Sequence, residues 1–154
     1  MLKGSGMNPP ETAVSEDTYR LLLQAAMLGT QMGEISLAID VAEALAELRP
    51  DLPHAPIVLA MSEFCAGRKD DGLQRLEVQV RQFPDDALSK AMLAVCLQDT
   101  GRAGWQSLLE SVIDEGRDEH ATGMACSLLG RTQELPAAGQ PIGPQATPAF
   151  AMWV

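Results

Sequence analysis

Two histidines, three cysteines and several adjacent carboxylate pairs are the side chains in this sequence best suited to chemistry. His54 and His120 could serve as near-neutral bases, but neither has a neighbouring Ser, Cys or Asp motif that would make it half of a nucleophile–base pair. Both read as surface residues. Cys65, Cys96 and Cys126 lie far apart, without the CxxC spacing of a zinc or redox site, and their odd number argues against a disulfide framework. Each sits inside an apolar helical pattern, so they are expected as buried free thiols in a reducing compartment. The pairs Asp70–Asp71, Asp85–Asp86 and Asp114–Glu115 fall at expected helix ends, where a helix dipole accounts for acid without acid–base work or metal binding. No glycine-rich phosphate loop or calcium loop occurs. The residues therefore call for no catalysis, no metal and no cofactor.

The elements that must carry these side chains are helices in a repeating frame. A step of 34 residues joins Gly33, Gly67 and Gly101, and the same step joins Ala26, Ala60 and Ala94. It also joins Pro50 to Pro84, Asp51 to Asp85 and Leu59 to Leu93. Leu22, Ala25, Ala26, Leu28 and Met32 follow helical spacing over 18–32, behind an N-cap at Ser15 with Glu16 and Asp17 in the first turn. A second helix is expected over 34–48, with Ala38, Ala42 and Ala46, beside Val41 and Leu45, on a face that permits close approach. Pro50 and Pro53 stop it. The next pair is expected at 55–66 and 71–83, with a turn at 67–70, and the third at 87–100 and 105–115. Gly116 closes the third pair. A last helix at 118–129 would cap the stack.

A period near 34 residues resembles that of tetratricopeptide helix pairs. The expected fold is all-α: a right-handed helical-hairpin solenoid of three tetratricopeptide-like repeats plus a C-terminal capping helix. With units begun at Tyr19, Pro53 and Ala87, the repeat positions are filled by Ala26, Gly33 and Pro50, then Ala60, Gly67 and Pro84, then Ala94 and Gly101. Gly72 and Gln106 replace the small alanine held by Ala38 in the first unit, and Gln79 stands at an interior position. The second helices of units two and three are therefore expected to be less regular. Trp105 is expected as a packing anchor between the third pair and the last helix, and Cys96 as a small core residue.

Composition agrees with close helix packing. The chain is 46% hydrophobic, yet has only three Phe, two Trp and one Tyr. Its formal charge of −10 disfavours nucleic acid and anionic membrane surfaces, both of which need clustered Lys and Arg. A basic or amphipathic protein partner suits it better. No window reaches the roughly 18 apolar residues of a membrane span, and the N-terminal stretch has no apolar run fit for a signal peptide. A cytoplasmic location is expected. Residues 1–14 read as a disordered lead-in, 15–130 as the repeat domain and 131–154 as a proline-rich flexible tail. The tail ends on Phe150, Met152, Trp153 and Val154, which are either incidental or fold back into a groove or onto a partner.

Positions 2, 5, 9 and 12 of each unit line the concave surface in stacked helix pairs of this kind. The apolar ones are Leu23 and Met27, then Ile57, Met61 and Phe64, then Ala91 and Val95, accompanied by Leu88. They read either as a partner-binding groove, in which methionine adapts to its partner, or as core.

The turn Arg49-Pro50-Asp51-Leu52-Pro53, the run from Lys90 through Ala91-Met92-Leu93-Ala94-Val95-Cys96-Leu97, and then Gly101 and Trp105 resemble the HrpB/HrpK-type family of bacterial type III secretion proteins. The likeness covers residues 19–116. It departs at Arg102-Ala103-Gly104, where the family more often has Asp and Pro before the tryptophan. The resemblance implies a non-enzymatic protein-binding component of the secretion system. It suggests a chaperone for a small secreted or needle-type subunit, as in the related YscG-like proteins, with a co-chaperone or a second copy as further partner. It also leaves open a periplasmic accessory role at the cell wall, and a generic tetratricopeptide adaptor.

Overall fold

The computed structural model describes residues 14–131, and these form seven helices without a strand. They are α1 (Glu16–Met32), α2 (Ile35–Leu48), α3 (His54–Cys65), α4 (Lys69–Gln82), α5 (Ala87–Asp99), α6 (Trp105–Glu115) and α7 (Glu119–Leu128). The lead-in expected at 1–14 and the tail expected at 131–154 lie, except for Val14 and Arg131, outside the described residues.

The 34-residue step is a turn geometry. Gly33, Gly67 and Gly101 all take positive φ, at 86°, 87° and 67°, where a side chain would be strained. After each, the next residue donates to the carbonyl five positions back: Glu34 N to Gly29 O at 2.8 Å, Arg68 N to Glu63 O at 3.0 Å, Arg102 N to Leu97 O at 2.9 Å. The second helices of pairs one and two end differently. Arg49 and Phe83 leave the helical region, at φ −134° and −124° with ψ 69° in both, and Pro50 and Pro84 prevent its resumption. Helix starts are side-chain capped at α1, α5 and α7, where Ser15, Asp86 and Asp118 accept from Thr18 N, Ser89 N and Ala121 N.

The small residues of the repeat set how closely the helices lie. Ala26, Ala60 and Ala94 are buried, as are Ala38 and Ala42 opposite α1. Gly72 takes this further. A Cβ built on it would lie 2.6 Å from the Ala60 carbonyl oxygen and 3.0 Å from Phe64 Cβ. The expected irregularity of this helix is therefore the point where α4 comes closest to α3. Gln79, also buried, reaches the Pro53 carbonyl with its amide at 3.4 Å. α3 touches α1, α2, α4 and α5, which leaves nine of its side chains, from Ala55 to Phe64, buried.

Two ion pairs have a buried member: Glu63 of α3 accepts from Arg75 of α4 at 2.6 Å, and a second pair joins α5 to α6. Lys90 of α5 is buried, and its ammonium donates to Glu115 Oε1 at 2.6 Å at the end of α6. Acid at a helix C-terminus opposes the dipole, so Asp114–Glu115 is not the dipole-favoured pair that the sequence suggested; Lys90 compensates it. Lys90 first, and Ser111 at 3.0 Å second, hold the Glu115 carboxyl below its ordinary range. A depressed folded value gives stability that is present above the unfolded pKa and lost as pH falls through the folded one. Glu115→Gln should therefore lower Tm near neutrality. The gap to the wild type should close as pH drops from about 4.5 towards 3. Thermal melts followed by circular dichroism across that range check it; a pH-independent gap would remove Glu115 from the acid response.

Candidate functional site

The N-terminal ends of α3, α5 and α7 converge on the first three turns of α1 around a cavity of about 440 Å³. Its apolar wall is Leu23 and Met27 from α1, Leu52 from the turn before α3, and Leu88 from α5. Arg20, Gln24, His54 and His120 bring polar atoms to the same space. Tyr19 links wall to scaffold: its hydroxyl accepts the Ala55 N–H at 3.2 Å, and the Arg49 guanidinium lies 5.9 Å from its ring centroid. Burial raises the phenol pKa, so the ring stays neutral. Arg49 is held by a two-pronged pair with Asp51, at 3.0 and 2.9 Å, which fixes the Arg-Pro-Asp turn against α1.

The seven apolar groove residues divide. Leu23 and Met27 line the cavity. Ile57, Met61, Phe64 and Ala91 belong to the central core cluster, and Val95 is half-buried. Met124 of α7 joins that same cluster, so these four are covered within it. A charge at Met61 or Phe64 would consequently test folding and not binding. Trp105 is half-buried and packs with Leu109, Val112 and Ala121 in the cluster shared by α5, α6 and α7. Sequence reasoning missed Tyr19, Gln24, Leu52, Asp118 and His120. The signal for the last two was the cap: Asp118 repeats the role of Asp86, which sets the first turn of α7 beside that of α5.

The chemistry-bearing residues remain scattered. Among the described residues no group of three His, Cys, Asp or Glu side chains could hold a metal ion. Cys96 and Cys126 are buried as expected, but Cys65 is exposed, a correction that follows from its place at the end of α3, beyond the core. Burial pushes the Cys96 thiol up to about 12, and its Sγ lies 3.6 Å from Met61 Sδ, so it stays protonated as a packing group. His120 is exposed as expected; His54 is half-buried at the cavity and not a plain surface residue.

A sequence model of the bacterial type III secretion protein family HrpB1_HrpK matches residues 9–134. The chain belongs to this family. Among solved structures, the tetratricopeptide domain of Sgt2 from Aspergillus fumigatus superposes with a TM-score of 0.59 at 17% identity, over 90% of this chain and 98% of that one. At that identity the likeness speaks for the fold alone, a tetratricopeptide-like solenoid. A comparison with curated protein sequences finds no match. Among the described residues no helix is long and apolar enough to cross a membrane. Family and fold together support a secretion-related, protein-binding role for this HrpB1_HrpK member.

Proposed function

We propose that this HrpB1_HrpK member is a non-enzymatic chaperone of the type III secretion system, acting in the cytoplasm on a needle or other small apparatus subunit. The observation that carries the reading is the concave cavity. It has an apolar wall large enough for one or two bulky side chains, a methionine that can adapt to them, and a polar rim to orient the backbone around them. An amphipathic segment that would otherwise aggregate fits such a site by burying its apolar anchors there.

Co-expression with the small secreted subunits of the same secretion system tests it. One subunit is expected to co-purify. Leu88→Asp, at a half-buried wall position, and Arg20→Glu, on the exposed rim, should each reduce its retention about tenfold or more, roughly the loss of one good buried contact. Circular dichroism of the variants should stay that of the wild type. Retention unchanged in both variants would remove the cavity from the function, and retention of no subunit would remove the chaperone role. Cell fractionation adds an independent arm, since protein found mainly in the periplasm would overturn the cytoplasmic placement.

A further inference from the structure

The 34-residue register assigns a use to one side of each first helix. Leu21, Ala25 and Leu28 of α1 correspond to Ala55, Leu59 and Ser62 of α3, and to Ser89, Leu93 and Cys96 of α5. The α3 and α5 residues are all between 0 and 6% exposed, because each helix lays this side against the preceding pair. The contacts show it: Ala55 N–H donates to Tyr19 Oη, Ser62 Oγ meets Thr30 Oγ1 at 2.7 Å, and Cys96 Sγ meets Met61 Sδ. Among the described residues no pair precedes α1. Its equivalent side is open, with Leu21 66%, Leu28 55% and Met32 72% exposed.

α2 continues that face. Gly29 of α1 stands directly against Ala38 of α2, 3.6 Å from the Ala38 Cβ to the site of a Cβ on the glycine, so the two helices lie side by side. Leu37 and Leu48 are 61% and 45% exposed. Leu21, Ala25, Leu28 and Met32 follow a 4-3-4 spacing, and so do Leu37, Val41, Ala44 and Leu48. This is the spacing of a seam that receives another helix. Among the described residues nothing covers it.

The chemistry of the face selects its occupant. Residues 1–13 carry Pro9 and Pro10, and 132–154 carry prolines at 136, 141, 144 and 148, so neither contains an uninterrupted run long enough to match a three-turn seam. A second copy would set the acidic edge of α2, formed by Asp40, Glu43 and Glu47, near its own duplicate, and α2 has no basic residue to relieve it. We propose that the outer face of α1 and α2 docks an amphipathic helix of a partner protein, one with lysine or arginine along the edge that overlies Asp40, Glu43 and Glu47. The partner helix takes the place of a preceding repeat over α1 and reaches further than a repeat does, over α2, on a face separate from the concave cavity.

Two synthetic helical peptides of about 18 residues, with one leucine seam but either lysine or glutamate flanks, probe the face by fluorescence anisotropy with the full chain. The lysine peptide should bind about tenfold or more tighter than the glutamate peptide, and more weakly as salt is raised. Leu28→Asp and Leu37→Asp, both at exposed positions, should each weaken it about tenfold or more, whereas Leu88→Asp in the cavity should leave it unchanged. Equal binding of the two peptides would overturn the proposal, as would binding lost in Leu88→Asp but kept in the two surface variants. Sedimentation showing a wild-type dimer that Leu28→Asp dissociates would assign the face to a second copy instead.

Discussion

Gly72→Ala should destabilise the protein by about 1–3 kcal/mol, the usual range for overpacking a tight interior. For the roughly 120 residues described that corresponds to a Tm lower by about 4–12 °C. The direction is the informative part. Inside a helix, alanine is ordinarily favoured over glycine by up to about 1 kcal/mol, because glycine gives up more backbone freedom on folding. Here the new methyl would meet the Ala60 carbonyl oxygen at 2.6 Å and the Phe64 backbone nitrogen at 3.1 Å. Those atoms are backbone of α3, which is packed on every side, so they cannot yield as a flexible side chain would. The clash outweighs the propensity gain. Gly29→Ala is the matched control: its added Cβ would sit at ordinary contact distance, 3.5 Å from the Glu34 carbonyl and 3.6 Å from Ala38 Cβ. That variant should keep or slightly raise the wild-type Tm. Thermal melts of the two variants decide the matter, and a Gly72→Ala protein as stable as the wild type would show that α3 and α4 are not held at closest approach.

The contrast between Gly72 and its neighbours in the repeat shows what a sequence of this kind makes legible. Gly33, Gly67 and Gly101 were readable because a local rule dictates them: a left-handed residue at a helix end is nearly always glycine, and it recurs with the period. Pro50 and Pro84 are readable for a similarly local reason. Gly72 falls by the repeat step at the small-residue position that Ala38 fills in the first unit, but its being glycine follows only from the distance to Ala60 on another helix, which spacing does not encode. The division of the groove residues has the same origin. Leu23 and Met61 hold equivalent kinds of position on the inner side of their helices, but α1 stands at the open end of the stack while α3 is covered from both sides. Both are buried, and only packing between helices distant in the chain decides that Leu23 also borders a cavity, which no single motif states. Lys90 is a further case. Its buried position was invisible because its partner, Glu115, lies 25 residues away across an α5–α6 contact.

Leu76→Ala should cost about 2–5 kcal/mol, since this α4 side chain is wholly buried in the cluster shared with α3 and α5 and its removal leaves a void there. The larger consequence is for cooperativity. In a solenoid each pair touches only its neighbours, so the stability of the whole rests on a chain of interfaces. The first pair packs around Tyr19, Leu23 and Leu45, and the last around Leu109, Val112 and Ala125; the cluster containing Leu76 joins them. Weakening an end leaves the remainder able to fold, whereas weakening the centre uncouples two ends of unequal stability. Unfolding by urea should therefore pass from one transition in the wild type to separated transitions in Leu76→Ala, with the fluorescence of Trp105 reporting the α6 end and far-UV circular dichroism reporting all helices. A Trp153→Phe background removes the second indole. Leu45→Ala, equally buried but in the first pair, should cost a similar amount while leaving the Trp105 transition close to its wild-type midpoint. Coincident transitions in Leu76→Ala would mean that the seven helices unfold as one unit. The packing of Met124, which brings the last helix into the central cluster, would then outweigh the linear connectivity of the repeats.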